Sequence, residues 1–148
     1  MTEARAVLGN VVRRMAKVRA LVVGDLVADQ YIYGETERIS REAPVLIVRH
    51  QSEEVKLGGA ANAAANAAAL GARVTAVGVL GQDDAGAAVR AACADAGIAV
   101  KAVRVQATET KTRVLAGALS TTRQQMLRID RGALGPLPEK VRAALRKS

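Results

Sequence analysis

Continuous apolar runs alternate along this chain with segments of helical character. The runs at 20–23 and 74–80 are built almost entirely from Ala, Val, Leu and Gly, which is typical of strands covered on both faces of a parallel sheet. The alanine-rich segment at 60–70 and the segment at 84–96 each end at a glycine and are predicted to be helices. This order of strand, helix, strand and helix predicts a parallel α/β layer architecture.

The rest of the chain carries shorter patterns of the same kinds. Apolar residues at helical spacing predict a helix over 3–16, and a last short helix is predicted at 139–146 after a loop rich in Gly and Pro. Further strands are predicted at 98–105, 110–116 and 125–130, with a turn around Ser120-Thr121-Thr122.

Residues 30–56 interrupt this alternation. Three runs with β-branched and aromatic residues, at 31–34, 36–40 and 44–50, predict short strands joined by polar turns. A loop between a strand and a helix usually has about 2 to 6 residues, so this segment is too long to be a simple connection. We expect a small β flap over a ligand site, whose exposed strands could also pair with a second copy of the chain.

The glycine pair Gly58-Gly59 directly precedes the alanine-rich helix. Glycine lets a ligand approach the backbone, and the first turn of a helix offers unpaired amides at the positive end of its dipole. Asn62 adds a side-chain amide there, while Asp25 and Asp29 follow the first apolar run, at the strand end where parallel sheets bind ligands. These groups suit a polyhydroxylated or anionic ligand, although close helix packing and turn formation would also explain them.

Composition and charge narrow the choice of partner. The 148 residues fit one domain, and since Phe and Trp are absent, Val, Leu and Ile must form the core. The net charge of +8 would suit an anionic partner. The basic residues are dispersed, however, and only two tyrosines could stack on bases. We therefore predict no nucleic-acid partner.

The cysteine, the histidine and the N-terminal segment argue against a disulfide-bonded, a metal-binding and a membrane-anchored or secreted protein. The single Cys93 rules out an intrachain disulfide and is consistent with the cytoplasm. His50 has no Cys or carboxylate at ligand spacing, so no metal site is predicted. The N-terminal segment has arginines within its apolar pattern and therefore indicates neither a signal peptide nor a membrane anchor.

Several separated motifs resemble one family. Val22-Val23-Gly24-Asp25, Asp29, Gly58-Gly59-Ala60-Ala61-Asn62, Gly71 and Gly81 are similar to the N-terminal signature of the ribokinase-like (PfkB) carbohydrate kinases. Further motifs resemble the heptose 7-phosphate kinases of that family: Tyr33-Gly34, Arg38-Ile39-Ser40, Glu42-Ala43-Pro44-Val45, Thr110-Lys111-Thr112-Arg113-Val114 and Gln124-Gln125-Met126-Leu127-Arg128-Ile129-Asp130. The pattern departs from the family at Ile32, Arg41 and Leu57, where Trp, Pro and Pro are usual.

The resemblance implies a fold and a reaction. The fold would be a ribokinase-like, Rossmann-type layered α/β sheet with a small β lid that includes residues 30–56. The reaction would be the phosphorylation by ATP, with Mg²⁺, of the anomeric hydroxyl of heptose 7-phosphate, which gives the 1,7-bisphosphate. This step belongs to the synthesis of ADP-heptose for the lipopolysaccharide core.

The resemblance also implies residue roles. Sugar hydroxyls would be held by Asp29, Gly58, Gly59 and Asn62. Lys111 and Arg113 would bind the sugar's phosphate, because a dianion requires cationic partners; a solvated strand face is the alternative. Lid positions would include Tyr31, Tyr33, Arg38 and Glu42. Arg38 and Glu42 are expected to pair with each other or with the partner chain of a homodimer formed through the lid.

One family feature is missing from the sequence. The family places its catalytic Asp, in a Gly-Ala-Gly-Asp turn, and most of its nucleotide pocket in a C-terminal half, and the 148 residues contain no such turn. We therefore assign no catalytic residue and no metal or nucleotide ligand. We expect residues 1–148 to be an N-terminal portion of the kinase domain that is inactive without a separate C-terminal half. A non-catalytic sugar-phosphate binding or dimerising module, or a piece of another PfkB-type sugar kinase, is the alternative.

Overall fold

A computed structural model describes residues 2–117, 122–132 and 135–147. Its helices are α1 (Thr2–Met15), α2 (Gly59–Ala69), α3 (Asp84–Asp95) and α4 (Glu139–Leu145). Its strands are β1 (Arg19–Val23), β2 (Leu26–Ile39), β3 (Leu46–Gly58), β4 (Arg73–Gly81), β5 (Ala99–Val105), β6 (Thr110–Gly117) and β7 (Gln124–Arg131). Most predicted elements are present with ends shifted by one or two residues. Ser120 and Thr121, where a turn was predicted, lie outside the described residues.

The first sheet is parallel and has the strand order β1-β4-β5. We call it the core sheet. Helices α2 and α3 cover one of its faces, and the buried cluster between them includes Ala61, Ala64, Leu80, Val89 and Cys93. Because alanine predominates on α2, this helix can lie close to the strands. The predicted parallel α/β layer is therefore confirmed.

The opposite face of β1 is not covered as the sequence predicted. Leu21 and Val23 are each 65% exposed, while Ala20 and Val22 on the other face pack against the core cluster. Successive side chains of a strand point to opposite faces, so an apolar run shows that both faces can be buried. The apolar run does not show that the described residues include a helix or strand that covers each of the two faces.

The second sheet, which we call the lid sheet, has the order β3-β2-β6-β7. Strand β2 is antiparallel to β3 and parallel to β6, and β7 is antiparallel to β6. Residues 30–56 lie within the β2–β3 hairpin. The predicted strands at 110–116 and 125–130 are β6 and β7 of this sheet, and they do not extend the core sheet.

The prediction of short strands in the flap is wrong, because β2 and β3 run for 14 and 13 residues. Polar residues in the middle of these strands look like turns in the sequence, yet they are paired across the hairpin. Arg49 donates to Glu37 at 2.7 Å, and Gln51 donates to Glu35 at 3.2 Å. Such cross-strand pairs allow an exposed sheet to continue through a polar stretch.

The chain passes between the two sheets at glycines. Gly59 has φ +55°, and a Cβ there would lie 2.5 Å from the Asp25 carbonyl oxygen, so only glycine fits this crossing without strain. The Gly24 N–H donates to the Val77 carbonyl at 3.0 Å and ties the exit from β1 to β4. Both contacts lie where the core sheet meets the lid sheet.

No helix within the described ranges is long and apolar enough to cross a membrane.

Candidate functional site

The turn between β3 and α2 forms one wall of the candidate site. Gly58 is the N-cap of α2 and provides no side-chain cap, while the Ala60 N–H donates to the Asp25 carbonyl at 2.9 Å. The positive end of the α2 dipole is thereby held beside the residues that follow β1. No acidic residue occupies the first turn of α2, so the charge at this end is not neutralised from within the helix.

Asp29 lies directly against this turn. A Cβ added to Gly58 would lie 2.8 Å from the Asp29 Cγ, so the carboxylate occupies the space that the missing side chain leaves free. Asp29 lies at this position because Val27 of β2 and Gly58 are register partners at the base of the hairpin. The structure thus brings Asp29, Gly58 and Gly59 together.

Asn62 lies one turn into α2 and is exposed. Its backbone carbonyl and its Oδ1 accept hydrogen bonds from the Asn66 Nδ2, at 3.0 and 3.4 Å. Asn62 therefore lies on the same helix end as the glycine pair, but no hydrogen bond among the described residues connects it to Asp29.

Arg113 forms an ion pair with Asp29. Its Nη1 donates to Asp29 Oδ1 at 2.8 Å, and the two side chains are only 22% and 19% exposed. The hydrogen bond to Asp29 raises the pKa of Arg113 further above its ordinary range. This pair engages one carboxylate oxygen of Asp29, and among the described residues no hydrogen bond engages the other, which can therefore accept from a ligand.

Lys111 lies on the same side of the lid sheet, opposite Asp29 in the register of β2 and β6. It lines a cavity of about 310 Å³ at the carboxyl ends of the core strands, together with Asp25, Glu109 and Val79. Among the described residues, Lys111 forms no ion pair. Glu109 was missed by the sequence analysis because it belongs to no motif and reaches the cavity through the β5–β6 connection.

Two tyrosines lie beside Asp29 on the lid sheet. Tyr31 and Tyr33 are stacked with ring centroids 6.3 Å apart. The Lys56 Nζ lies 5.1 Å from the Tyr31 centroid, and the Arg113 Cζ lies 5.4 Å from it, which is within the range of cation–π attraction. Lys56 was also missed by the sequence analysis, because an isolated lysine in a charged stretch carries no signal of its own.

The tip of the lid carries the other two predicted residues. Arg38 is near the end of β2, and Glu42 lies in the connection to β3, where its N–H donates to the Ser40 Oγ at 3.1 Å. The described residues include no ion pair between Arg38 and Glu42. Both side chains are exposed and lie far along the hairpin from the glycine turn.

A buried hydrogen-bond network fixes the connection that leads to β6. Asp83 caps α3 by accepting from the Gly86 N–H at 2.9 Å, and it also accepts from the Thr108 N–H at 2.9 Å and the Thr108 hydroxyl at 2.6 Å. Burial raises the pKa of Asp83, but these hydrogen bonds outweigh it and hold the pKa below its ordinary value. The sequence predicted the helix start here but not the contact with Thr108, which is 25 residues away.

The described residues contain no group of three His, Cys, Asp or Glu side chains close enough to hold a metal ion. The site in this part of the chain therefore consists of the α2 end, the Asp29–Arg113 pair, the cations of the lid and the cavity at the carboxyl ends of β1, β4 and β5. These groups can accept hydrogen bonds from hydroxyls and can neutralise an anion.

Comparisons with known proteins agree with this architecture. Residues 18–145 match the model of the pfkB family carbohydrate kinases. The chain is similar to the D-beta-D-heptose 7-phosphate kinase of Bordetella bronchiseptica, with 46% identity over 79% of this chain and 36% of that protein. It is also similar to the bifunctional protein HldE of Pelobacter propionicus, with 41% identity over 93% of this chain and 28% of that protein. The chain thus spans about a third of the length of the curated relatives it matches.

A solved structure shows the same fold. Phosphofructokinase-2 from Escherichia coli, crystallised in complex with fructose-6-phosphate, matches 88% of this chain and 40% of its own with a TM-score of 0.64 at 19% identity. The fold predicted from the resemblance, a ribokinase-like α/β layer with a β lid, is confirmed. On the family match and the curated relatives together, this chain belongs to the pfkB family of carbohydrate kinases.

Proposed function

We propose that this chain holds the sugar substrate of an ATP-dependent heptose 7-phosphate kinase, which phosphorylates the anomeric hydroxyl on the way to ADP-heptose and the lipopolysaccharide core. The observation that carries the proposal is the position of the Asp29 carboxylate against Gly58 at the start of α2. The relative from Bordetella bronchiseptica is named for this heptose 7-phosphate activity. The location of the reaction would be the cytoplasm, where ATP is available.

The sugar hydroxyls would be held at the α2 end. Asp29 uses Oδ1 for Arg113, so its other oxygen can accept from neighbouring hydroxyls, which is the geometry that a vicinal diol offers. Gly59 is exposed, so a ligand could approach its backbone closely, while Gly58 would contribute by leaving room for the Asp29 carboxylate. Asn62 would contribute its amide NH₂ donors from the first turn of the helix.

The phosphate of the sugar would be bound by Lys111 and Arg113. Lys111 lacks an ion-pair partner in the described part of the chain, and it lines the cavity. Arg113 has five N–H donors, and its hydrogen bond to Asp29 uses only one of its terminal nitrogens. Hydrogen bonds from charged donors such as these bind phosphate more strongly than hydrogen bonds between neutral groups.

Replacing Asp29 tests the sugar site. We expect Asp29→Ala to abolish the binding of heptose 7-phosphate in titration calorimetry, because the acceptor for the hydroxyls is lost and Arg113 loses its partner. Asp95→Ala is the matched control, since Asp95 is exposed at the far end of α3. Far-UV circular dichroism should be the same for both variants. Unchanged affinity in Asp29→Ala would leave this aspartate with only its structural contact to Arg113.

Phosphoryl transfer would need a further segment. Catalysis of this reaction consists mainly of positioning and of charge stabilisation around the phosphates. The Gly-Ala-Gly-Asp turn that supplies the family's catalytic Asp does not occur in the 148 residues, and ATP with Mg²⁺ would be bound by residues other than those described here. We propose that the C-terminal half of the family's kinase domain completes the site.

A coupled assay of ATP consumption tests this requirement. The chain alone should give no heptose-dependent turnover, and the addition of the C-terminal portion of the Bordetella relative should produce it. A control reaction without heptose 7-phosphate measures contaminating ATPase activity. Heptose-dependent turnover by the pure chain would refute the requirement for a second segment.

A homodimer formed through the lid is the second element of the proposal. The face of the lid sheet opposite Asp29 carries several apolar side chains beside polar ones such as Gln30 and Thr112. The apolar residues are Ile32, Val55, Val114, Leu127 and Ile129. Exposed apolar faces of this kind are typical of interfaces. Sedimentation velocity should show a dimer that Leu127→Asp dissociates, whereas Arg128→Asp on the other face should not. A monomeric wild-type chain would exclude the dimer.

A further inference from the structure

We propose that Lys56 is a third cation of the phosphate-binding part of this site and makes the site select phosphorylated over unphosphorylated sugars. The inference rests on the proposed function of the same site. It concerns a residue that no motif marks, and it is carried by the register of the lid sheet and by the contacts of Lys56.

The strand register puts Lys56 in the same row as the predicted ligands. Asp29 on β2 is the register partner of Lys56 on β3 and also of Lys111 on β6. Register partners project from the same face of a sheet, so Lys56, Asp29 and Lys111 form a row across three strands. Neighbouring strands are about 4.8 Å apart, so the two lysines lie on either side of the carboxylate.

The side chains of Lys56 and Arg113 both contact Tyr31. The Lys56 Nζ lies 5.1 Å and the Arg113 Cζ lies 5.4 Å from the centroid of its ring. A long flexible side chain on a sheet surface has many positions available. Because Lys56 is also the register partner of Asp29, its ammonium group lies on the face of the sheet where an anion beside Asp29 would bind.

A chain of contacts fixes Lys56 in this position. The Lys56 Nζ lies 3.0 Å from Glu54 Oε1, and the same oxygen accepts a hydrogen bond from the Tyr33 hydroxyl. The hydrogen bond with Glu54 raises the pKa of Lys56, so the ammonium keeps its charge. A phosphate could still be bound because an ammonium group has three donors.

The proposed role makes a specific difference between two ligands. A point charge interacts strongly with a phosphate dianion and weakly with a neutral hydroxyl. Loss of the Lys56 charge should therefore weaken binding of the phosphorylated sugar and leave binding of the same sugar without phosphate nearly unchanged. A lysine that only stabilises the lid would affect both sugars equally.

The variant Lys56→Gln should fold, because Lys56 is 56% exposed and its ion pair with Glu54 lies on the surface. Surface ion pairs add little stability. The test is titration calorimetry of the 148-residue chain with heptose 7-phosphate and with the unphosphorylated heptose. The proteins are the wild type, Lys56→Gln, Lys56→Arg and the control Lys140→Gln. Lys140 is an exposed lysine on α4.

For Lys56→Gln we expect about tenfold weaker binding of heptose 7-phosphate, as for the loss of one hydrogen bond between charged groups, and unphosphorylated heptose within about twofold of wild type. Lys56→Arg should restore most of the affinity, and Lys140→Gln should change neither ligand. If Lys56→Gln weakens the binding of both sugars equally, or of neither, Lys56 does not have the proposed role. Binding of heptose 7-phosphate by the wild type would still support the sugar site in that case. If the wild type binds neither sugar, the proposed function fails as well.

Discussion

The two sheets of this protein are stabilised in different ways. The core sheet is parallel, and α2 and α3 bury one of its faces with small side chains in close contact. The lid sheet has no helix packed along most of its length, and its strands are joined by backbone pairing and by cross-strand contacts between polar side chains. The core sheet therefore depends on burial, and the lid sheet depends on pairing.

This difference explains where the candidate ligands are found. Charged side chains are costly in a buried core, whereas a half-exposed sheet can present several of them on one face. Asp29, Lys56, Lys111 and Arg113 all lie on the lid sheet. The core sheet contributes mainly backbone and small residues, which hold the end of α2 and the carboxyl ends of the strands in place.

The largest expected effect is on the free energy of unfolding, and it is measured by replacing one leucine in each sheet. Leu80 is fully buried on β4, and Leu127 is 54% exposed on β7. We expect Leu80→Ala to lower the free energy of unfolding by about 2 to 5 kcal/mol, because it removes buried methyl groups and leaves a cavity. In the monomer, at protein concentrations too low for the proposed dimer to form, Leu127→Ala should change it by about 0.5 kcal/mol or less. Urea unfolding followed by circular dichroism measures both.

Equal losses in the two variants would contradict the comparison. They would show that the lid sheet also depends on side-chain burial, as it would if the dimer described above covers Leu127. Repeating the measurement over a range of protein concentrations separates these cases, since only a dimer makes the unfolding midpoint concentration-dependent.

A smaller effect is expected at the junction of the two sheets. Asp83→Asn should lower the free energy of unfolding by about 1 to 2 kcal/mol at neutral pH. The amide keeps one oxygen for the cap of α3, but its NH₂ group cannot accept the hydrogen bond that the Thr108 N–H donates to Asp83 Oδ2. The pKa of Asp83 is lowered in the folded state. Its ionised form therefore adds stability above the ordinary pKa of Asp, and this contribution is lost as the pH falls through the lowered pKa.

The measurement is the difference in unfolding free energy between the wild type and Asp83→Asn as a function of pH. The difference should be constant at neutral pH and should shrink in acid, below about pH 4. Asp84→Asn is the matched control, because Asp84 is the exposed neighbour in the first turn of α3. A pH-independent difference would show that the ionised carboxylate is not what Thr108 and Gly86 require.

The sequence by itself determined the elements that follow from local physics. The apolar runs predicted β1 and β4, the alanine-rich segment predicted α2, and the segment at 84–96 predicted α3. These predictions succeeded because hydrophobic periodicity, helix propensity and capping act over a few neighbouring residues. The motif spacing also identified the family.

Only the tertiary structure decided how distant segments meet. The long hairpin of β2 and β3, the pairing of β2 with β6 and the ion pair between Asp29 and Arg113, 84 residues apart, depend on strand register, which polar sequences specify weakly. The same strand pairing places Lys56, Glu109 and Thr108 near the site, although none of these residues carries a local signal in the sequence. Their positions follow from contacts between strands, and such contacts form only when the whole sheet is assembled.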